Sequence, residues 1–216
     1  TLDRLDKSPG AGRYSVVFTA AHGAASEPSG RVDGEALARS IDAALSARYD
    51  VSSVKNRYVE RYVYPFLYLR HEQLRRYGID PREARLAAGQ AALRFDGVAA
   101  WYTADGDSTR TGAWLQRFRN SFHASRSGDL MLAYLPDFVE KFGAGRGISY
   151  GSLYNYDTRV PLVLYGPAFR AQTFETAVES VDIAPTLARA MRIAPPAAST
   201  GRVLGEAFAP DPPRKK

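Results

Sequence analysis

Arg13–Ala24 reads RYSVVFTAAHGA, and the interpretation of the chain turns on this stretch. Val16, Val17 and Phe18 form a short apolar run that ends in Thr19, and Ala20 to Gly23 turn out of it. A continuous β-branched and aromatic run, rather than strict alternation, is the pattern of a parallel strand covered on both faces. In open α/β sheets the ligand site lies just beyond the carboxyl ends of such strands, which is where this reading puts His22. Taken alone, His22 reads as a loop histidine with a satisfied ring.

Composition limits what surrounds that strand. The chain has 216 residues, of which 45% are hydrophobic and 12% aromatic, enough to bury a core as one domain or one and a half. No apolar run is long enough to span a bilayer, and TLDRLDKSPG at the start lacks the regions of a signal peptide, so the chain as given reads as soluble, with no membrane partner. Cysteine is absent, which excludes disulfides and thiolate zinc sites and leaves His, Asp, Glu or Tyr to hold any metal. The net charge of +6 is spread over isolated arginines, apart from Arg214, Lys215 and Lys216 at the end. That pattern suits anionic ligands but is too diffuse for nucleic-acid binding.

Working outward, Thr1 to Ser8 reads as the last turns of a helix ended by Pro9-Gly10, as though the chain were a piece of something longer. Ala24 to Asp33 reads as a small-residue loop, and Asp33 or Gly34 as the cap of a helix over Glu35 to Arg48 with Leu37, Ile41, Ala44 and Leu45 at helical spacing. Strands are expected at Tyr64–Leu69, Val98–Thr103 and Asp129–Leu135. Helices are expected at His71–Tyr77, from Asp80-Pro81 to about Arg94, and at Gly112–Phe122, which together make a small α+β subdomain. Arg159 to Tyr165 reads as another parallel-type strand. Ser180 to Arg192 reads as a helix capped by Asp182, and Pro195 to Lys216 as a tail with a short strand at Arg202–Leu204.

Three segments in this order resemble the alkaline phosphatase superfamily, in its phosphatase and phosphodiesterase–nucleotide pyrophosphatase branch. Thr19–Gly23, TAAHG, resembles T-A-D-H-G. Gly147–Pro161, GISYGSLYNYDTRVP, resembles G-T-x-H-G-S-P-Y-x-Y-D-x-x-V-P, and Val181–Leu187, VDIAPTL, is similar to that family's closing helix. Asn120–Leu132, NSFHASRSGDLML, with the aromatic strands around it, is similar to the branch's inserted subdomain. The resemblance implies an α/β fold: the C-terminal portion of the alkaline-phosphatase-like sandwich, a mostly parallel sheet flanked by helices, with a small inserted α+β subdomain. It divides the chain into core over 1–54, the insertion over 55–140, a return to the core over 141–194, and a tail over 195–216.

What the resemblance further implies is a hydrolase with two zinc ions that clamp the attacking and leaving oxygens during displacement at phosphorus. Its substrate would be a small-molecule phosphate ester, and its location periplasmic or secreted. This sequence departs from the pattern where the metals would sit. Ala21 stands at the position of a zinc-binding Asp, leaving His22 as a relict ligand. Tyr150 stands at the position of the second metal's His, and a neutral phenol is a poor substitute. Leu153 replaces a proline of the motif. The nucleophile, the remaining ligands and the phosphate-gripping residues belong to the family's part upstream of Thr1, so no catalytic residue is assigned here. The reading is therefore of a truncated phosphatase or phosphodiesterase, inactive as the isolated chain. The alternatives are a non-catalytic pseudo-phosphatase that binds a partner, and a degenerate gene remnant. Tyr156 and Asp157 are expected to tie the loop to the following strand, while His71 and His123 lack carboxylates at ligand spacing. Arg126 and Arg146 are candidates to meet an anion or, more simply, water.

Overall fold

Helix α2, Gly34–Tyr49, shows how the chain's helices are specified. Asp33 stands outside the helix in extended conformation and its side chain accepts a hydrogen bond from the Ala36 amide at 2.9 Å, satisfying a donor that the first turn leaves open. Leu37, Ile41 and Leu45 recur on one face and are wholly buried, each contributing roughly 1.5–3 kcal/mol by leaving water. The computed structural model describes residues 2–25, 27–50, 57–143 and 150–209. Gly147 to Ser149 of the second motif, Arg146 and the basic end of the chain lie outside the described residues.

In chain order the elements are α1 (Leu2–Leu5), continued by a wider helical turn over Asp6–Gly10, then β1 (Val16–Phe18), β2 (Gly30–Val32) and α2. There follow β3 (Val59–Val63), β4 (Phe66–Leu69), α3 (His71–Arg76), α4 (Pro81–Ala92), β5 (Val98–Thr103), α5 (Ala113–Ser121), β6 (Leu130–Tyr134) and β7 (Phe138–Glu140). The last are α6 (Asn155–Thr158), β8 (Val163–Tyr165) and α7 (Ile183–Met191), with single 3-10 turns at Ser180–Asp182 and Gly205–Ala207. These divide into two compact units, residues 21–160, and residues 1–20 with 161–216.

The unit 21–160 is built on an antiparallel four-stranded sheet in the order β3-β4-β6-β5. Helix α2 packs on α4 and β3, and α4 packs on β5. One apolar cluster between sheet and helices joins Leu37, Ile41 and Leu45 to Leu67, Leu69, Ala88, Trp101 and Leu132. The other face of the sheet carries a second cluster of Ala100, Tyr102, Phe118, Met131, Ala133 and Leu153, against which Trp114 and Phe122 pack. Gly89 is required where α4 meets β5, because a Cβ there would fall 2.6 Å from Cδ2 of Trp101. β2 and β7 form a separate parallel pair, Gly30 opposite Phe138.

Two polar networks tie this unit together. Glu140, 8% exposed, accepts a hydrogen bond from Tyr134, whose hydroxyl lies 2.6 Å from that of Tyr62. Burial pushes the Glu140 carboxyl up from its ordinary value, against the lowering effect of the hydrogen bonds from Tyr134 and the Gly34 amide. In the second network Asp129, 7% exposed, accepts from the Leu69 amide at 2.8 Å, His71 Nε2 at 2.9 Å and Arg85 at 3.0 Å. Arg85 in turn makes a two-pronged pair with Asp105 at 2.6 and 2.8 Å.

In the other unit β1 pairs with β8, Val16 opposite Tyr165 and Phe18 opposite Val163. The pairing is antiparallel, which corrects the expectation of two parallel strands; the apolar runs VVF and VLY carry no information on direction. Nor are these strands covered on both faces within the described residues: Phe18 is 64% exposed and Val163 50%. Asp182 caps the turn before α7 rather than α7 itself, accepting from the Glu179 amide at 3.0 Å and the Arg202 amide at 2.8 Å. Arg202–Leu204 is not a strand; the Leu204 amide instead donates to the hydroxyl of buried Thr186 at 3.0 Å.

Candidate functional site

The two loops singled out by sequence, around Ala21–His22 and Tyr150–Asp157, meet within the unit 21–160. The Gly23 amide donates to the carbonyl of Asp157 at 2.8 Å, and the backbones approach so closely that a Cβ on Gly23 would lie 1.9 Å from the Tyr156 carbonyl oxygen. The second loop is pinned at several points. The buried Asp157 carboxylate accepts from the Ser152 amide at 2.7 Å, Tyr154 donates to the Tyr134 carbonyl at 3.1 Å, and the Tyr156 hydroxyl accepts from the Asp137 amide at 3.0 Å. Arg117 on α5 donates to the Leu153 carbonyl. Leu153, where the motif has proline, is buried in the second apolar cluster.

His22 and Tyr150 face each other directly. Their rings stack with centroids 3.6 Å apart and planes within 7°. His22 Nδ1 lies 2.6 Å from the Gly23 carbonyl oxygen and donates to it, which leaves Nε2 as the nitrogen with a lone pair. Ala21 supplies no donor atom, and its side chain is exposed.

This donor set does not fit a zinc centre. A zinc ion on Nε2 lies in the imidazole plane at about 2.0–2.1 Å and needs oxygen ligands at about 2.0–2.2 Å. The phenol of Tyr150 lies in a parallel plane at van der Waals separation, so its oxygen is beyond bonding distance of any metal held in the plane of His22. Among the described residues, no group of three or more His, Asp or Glu side chains comes together to hold a metal ion. Asp157 is occupied on one oxygen by Ser152 and has no partner on the other, Oδ1.

The remaining candidates fall elsewhere. His71, on the first turn of α3, meets Asp129 across 58 positions, so a carboxylate does accompany it in space; the other members of that cluster are Arg85 and a backbone amide rather than further metal ligands. His123 bonds locally with Ser125, Nδ1 to the hydroxyl at 3.1 Å. The Arg126 carbonyl accepts from Tyr68 at 3.4 Å. Sequence reasoning passed over Tyr64, which is pushed well above the ordinary phenol value chiefly by burial and secondarily by the charge of Asp157. Its signal was its place beside Pro65 at the start of an aromatic run.

The fold and the sequence similarities are those of the alkaline phosphatase superfamily. The crystal structure of wild-type alkaline phosphatase PafA superposes with a TM-score of 0.84 at 20% identity, covering 96% of this chain and 41% of that one. Alkaline phosphatase PhoD of Zymomonas mobilis is 30% identical over 201 residues, 83% of this chain and 34% of the relative. A Myroides odoratus protein named calcium-transporting ATPase is 26% identical over 220 residues, 96% of this chain and 39% of the relative. The chain thus spans about two fifths or less of the proteins it resembles. No family model matches it. No helix among the described residues is long and apolar enough to cross a membrane.

Proposed function

We propose that this chain forms part of an alkaline-phosphatase-type phosphate-ester hydrolase, of phosphomonoesterase or phosphodiesterase type, and supplies scaffold without a competent zinc centre of its own. The division into core (1–54 and 141–194), inserted subdomain (55–140) and tail (195–216) belongs to this proposal. So does a periplasmic or secreted location. His22 is the surviving half of a metal-binding pair, and Ala21 and Tyr150 occupy the positions of lost ligands. The observation that carries the reading is the face-to-face packing of His22 on Tyr150 beside an alanine. That arrangement leaves one imidazole nitrogen where a zinc ion needs about four ligands. The isolated chain therefore does not hydrolyse small phosphate esters, and its structure serves a longer protein or a binding role.

The test is zinc content after dialysis together with hydrolysis of an aryl phosphate, for the natural chain and for the double variant Ala21→Asp, Tyr150→His. The natural chain should retain no stoichiometric zinc and show no turnover, whereas the double variant should gain zinc affinity. Two tightly held zinc ions and turnover in the natural chain would overturn the proposal.

A further inference from the structure

The chain has three histidines, and each is held differently. His22 donates from Nδ1 to the Gly23 carbonyl, and His123 receives the Ser125 amide on Nδ1 at 3.3 Å. His71 is held through Nε2 instead, which donates to Oδ1 of Asp129 at 2.9 Å. That carboxylate is fixed in place: its side chain is 8% exposed, Oδ2 takes the Leu69 amide at 2.8 Å, and Oδ1 also takes Arg85 at 3.0 Å. Because Arg85 is shared with Asp105, two carboxylates face one guanidinium and the three groups together carry a negative charge. A carboxylate that accepts from Nε2–H fixes the tautomer and leaves the lone pair on Nδ1. Nδ1 has no hydrogen-bond partner among the described residues, and the His71 side chain is 45% exposed.

We propose that His71 is a phosphoryl-accepting residue, which takes the group on Nδ1 from small phosphoramidate-type donors. An imidazole nitrogen with a free lone pair is a nucleophile, and a carboxylate holding the proton on the other nitrogen orients and strengthens it. In the step, the Nδ1 lone pair attacks phosphorus as the phosphorus–nitrogen bond of the donor breaks. The donor reacts as its zwitterion, so ammonia leaves with the bonding pair and needs no further proton. The phosphorylated ring keeps its Nε2 proton and becomes cationic, and Asp129 lies against that charge as a positioning residue. The dianionic phosphoryl group balances the ring from the other side, which an acyl group does not do. A metal ion is a poorer occupant: one imidazole is one of about four ligands it needs, and no group of three or more His, Asp or Glu side chains gathers among the described residues. Neither His22 nor Tyr150 takes part, so His71 accepts phosphoryl whether or not the chain belongs to a zinc hydrolase.

The probe is potassium phosphoramidate, incubated with the full chain at neutral pH. Initial rates are followed by phosphorus NMR, which separates Nδ1- from Nε2-phosphohistidine, and the modified residue is read by mass spectrometry without acid. His71 should form the Nδ1 isomer at least about ten-fold faster than N-acetylhistidine amide in the same solution, whereas His22 should give the Nε2 isomer. Asp129→Asn should slow His71 by a similar factor and erase the preference for Nδ1, because an amide no longer fixes the tautomer. Should that variant not fold, His71→Gln, a change at a half-exposed ring, should abolish the Nδ1 product and leave the Nε2 products in place. Reaction of His71 no faster than the free amide, an Nε2 product at His71, or an Nδ1 product that survives His71→Gln would overturn the proposal. So would a folded Asp129→Asn variant that reacts at the natural rate.

Discussion

The imidazole of His22 lies flat on the phenol ring of Tyr150, 3.6 Å between centroids, although 128 positions separate the two residues. Stacking of this kind fixes both rings and turns the histidine's face, not only its edge, toward protein. In Tyr150→Ala the ring-current shift on the His22 carbon-bound protons should vanish and those resonances move downfield, while the melting temperature changes by no more than about 2 °C. Unmoved His22 resonances in a one-dimensional proton spectrum would show that the rings do not stack in solution.

Glu140 should make stability depend on pH between the ordinary glutamate value, about 4.3, and its raised value in the fold. A carboxyl whose pKa is higher folded than unfolded stabilises fully below the unfolded value, and that contribution is lost as pH rises through the folded value. Urea denaturation at a series of pH values should therefore show the natural chain losing stability relative to Glu140→Gln as pH rises above the ordinary glutamate value. A difference between the two that stays flat over this range would contradict the assignment.

Asp129→Ala should destabilise the unit 21–160 by about 2–4 kcal/mol, because it strands the Leu69 amide and removes one of the two partners of Arg85, which is only 12% exposed. Asp107→Ala removes the partner of Arg82, whose side chain is 61% exposed and therefore well screened by water, and should cost far less. Chemical denaturation of the two variants side by side checks the contrast; equal losses would mean that burial of the Asp129 network does not set its worth.

Gly23→Ala and Gly89→Ala should each destabilise the chain by about 1–3 kcal/mol, against the usual gain from replacing glycine by alanine. At Gly23 the obstacle is backbone, the Tyr156 carbonyl, which cannot yield without separating the two loops. At Gly89 it is the Trp101 ring, so only that variant should change tryptophan fluorescence. The reverse pattern would place the close approaches incorrectly.

Alkaline titration should leave several tyrosines silent. Tyr62 and Tyr134 are pushed far above the ordinary phenol value by burial, and Tyr102 up to about 12 by the same cause. Absorbance near 295 nm should therefore rise in two stages, exposed rings first and these only as the chain unfolds. A single smooth rise near pH 10 would refute the burial of this set.

Much of the fold was legible from local signals. Asp80-Pro81 opens α4 as its types dictate, and VAAWYT and the apolar run before Pro136 are the neighbouring strands β5, at the edge of the four-stranded sheet, and β6 inside it. The strands that escaped are those whose identity depends on a distant partner: β2 is three residues, GRV, inside a small-residue loop, and becomes a strand by lying beside Phe138–Glu140. β3, VERYV, exposes Glu60 and Arg61 and carries an irregular register, which hides its alternation. Of the candidate site, Ala21, His22 and Tyr150 were found through their motif positions, but no sequence spacing shows that the rings touch. The pairing of His71 with Asp129 escaped for the same reason, being made by the sheet rather than by either segment.

The hydrogen bond from the Gly23 amide to the Asp157 carbonyl closes a loop of 134 positions. Its kinetic consequence is that the two motif loops acquire their geometry only after the intervening sheet and helices have drawn the ends together, since so long a closure is opposed by chain entropy until local structure shortens it. The four-stranded sheet is thus a ruler as well as a core, since all four of its strands lie within the stretch of chain that this bond closes.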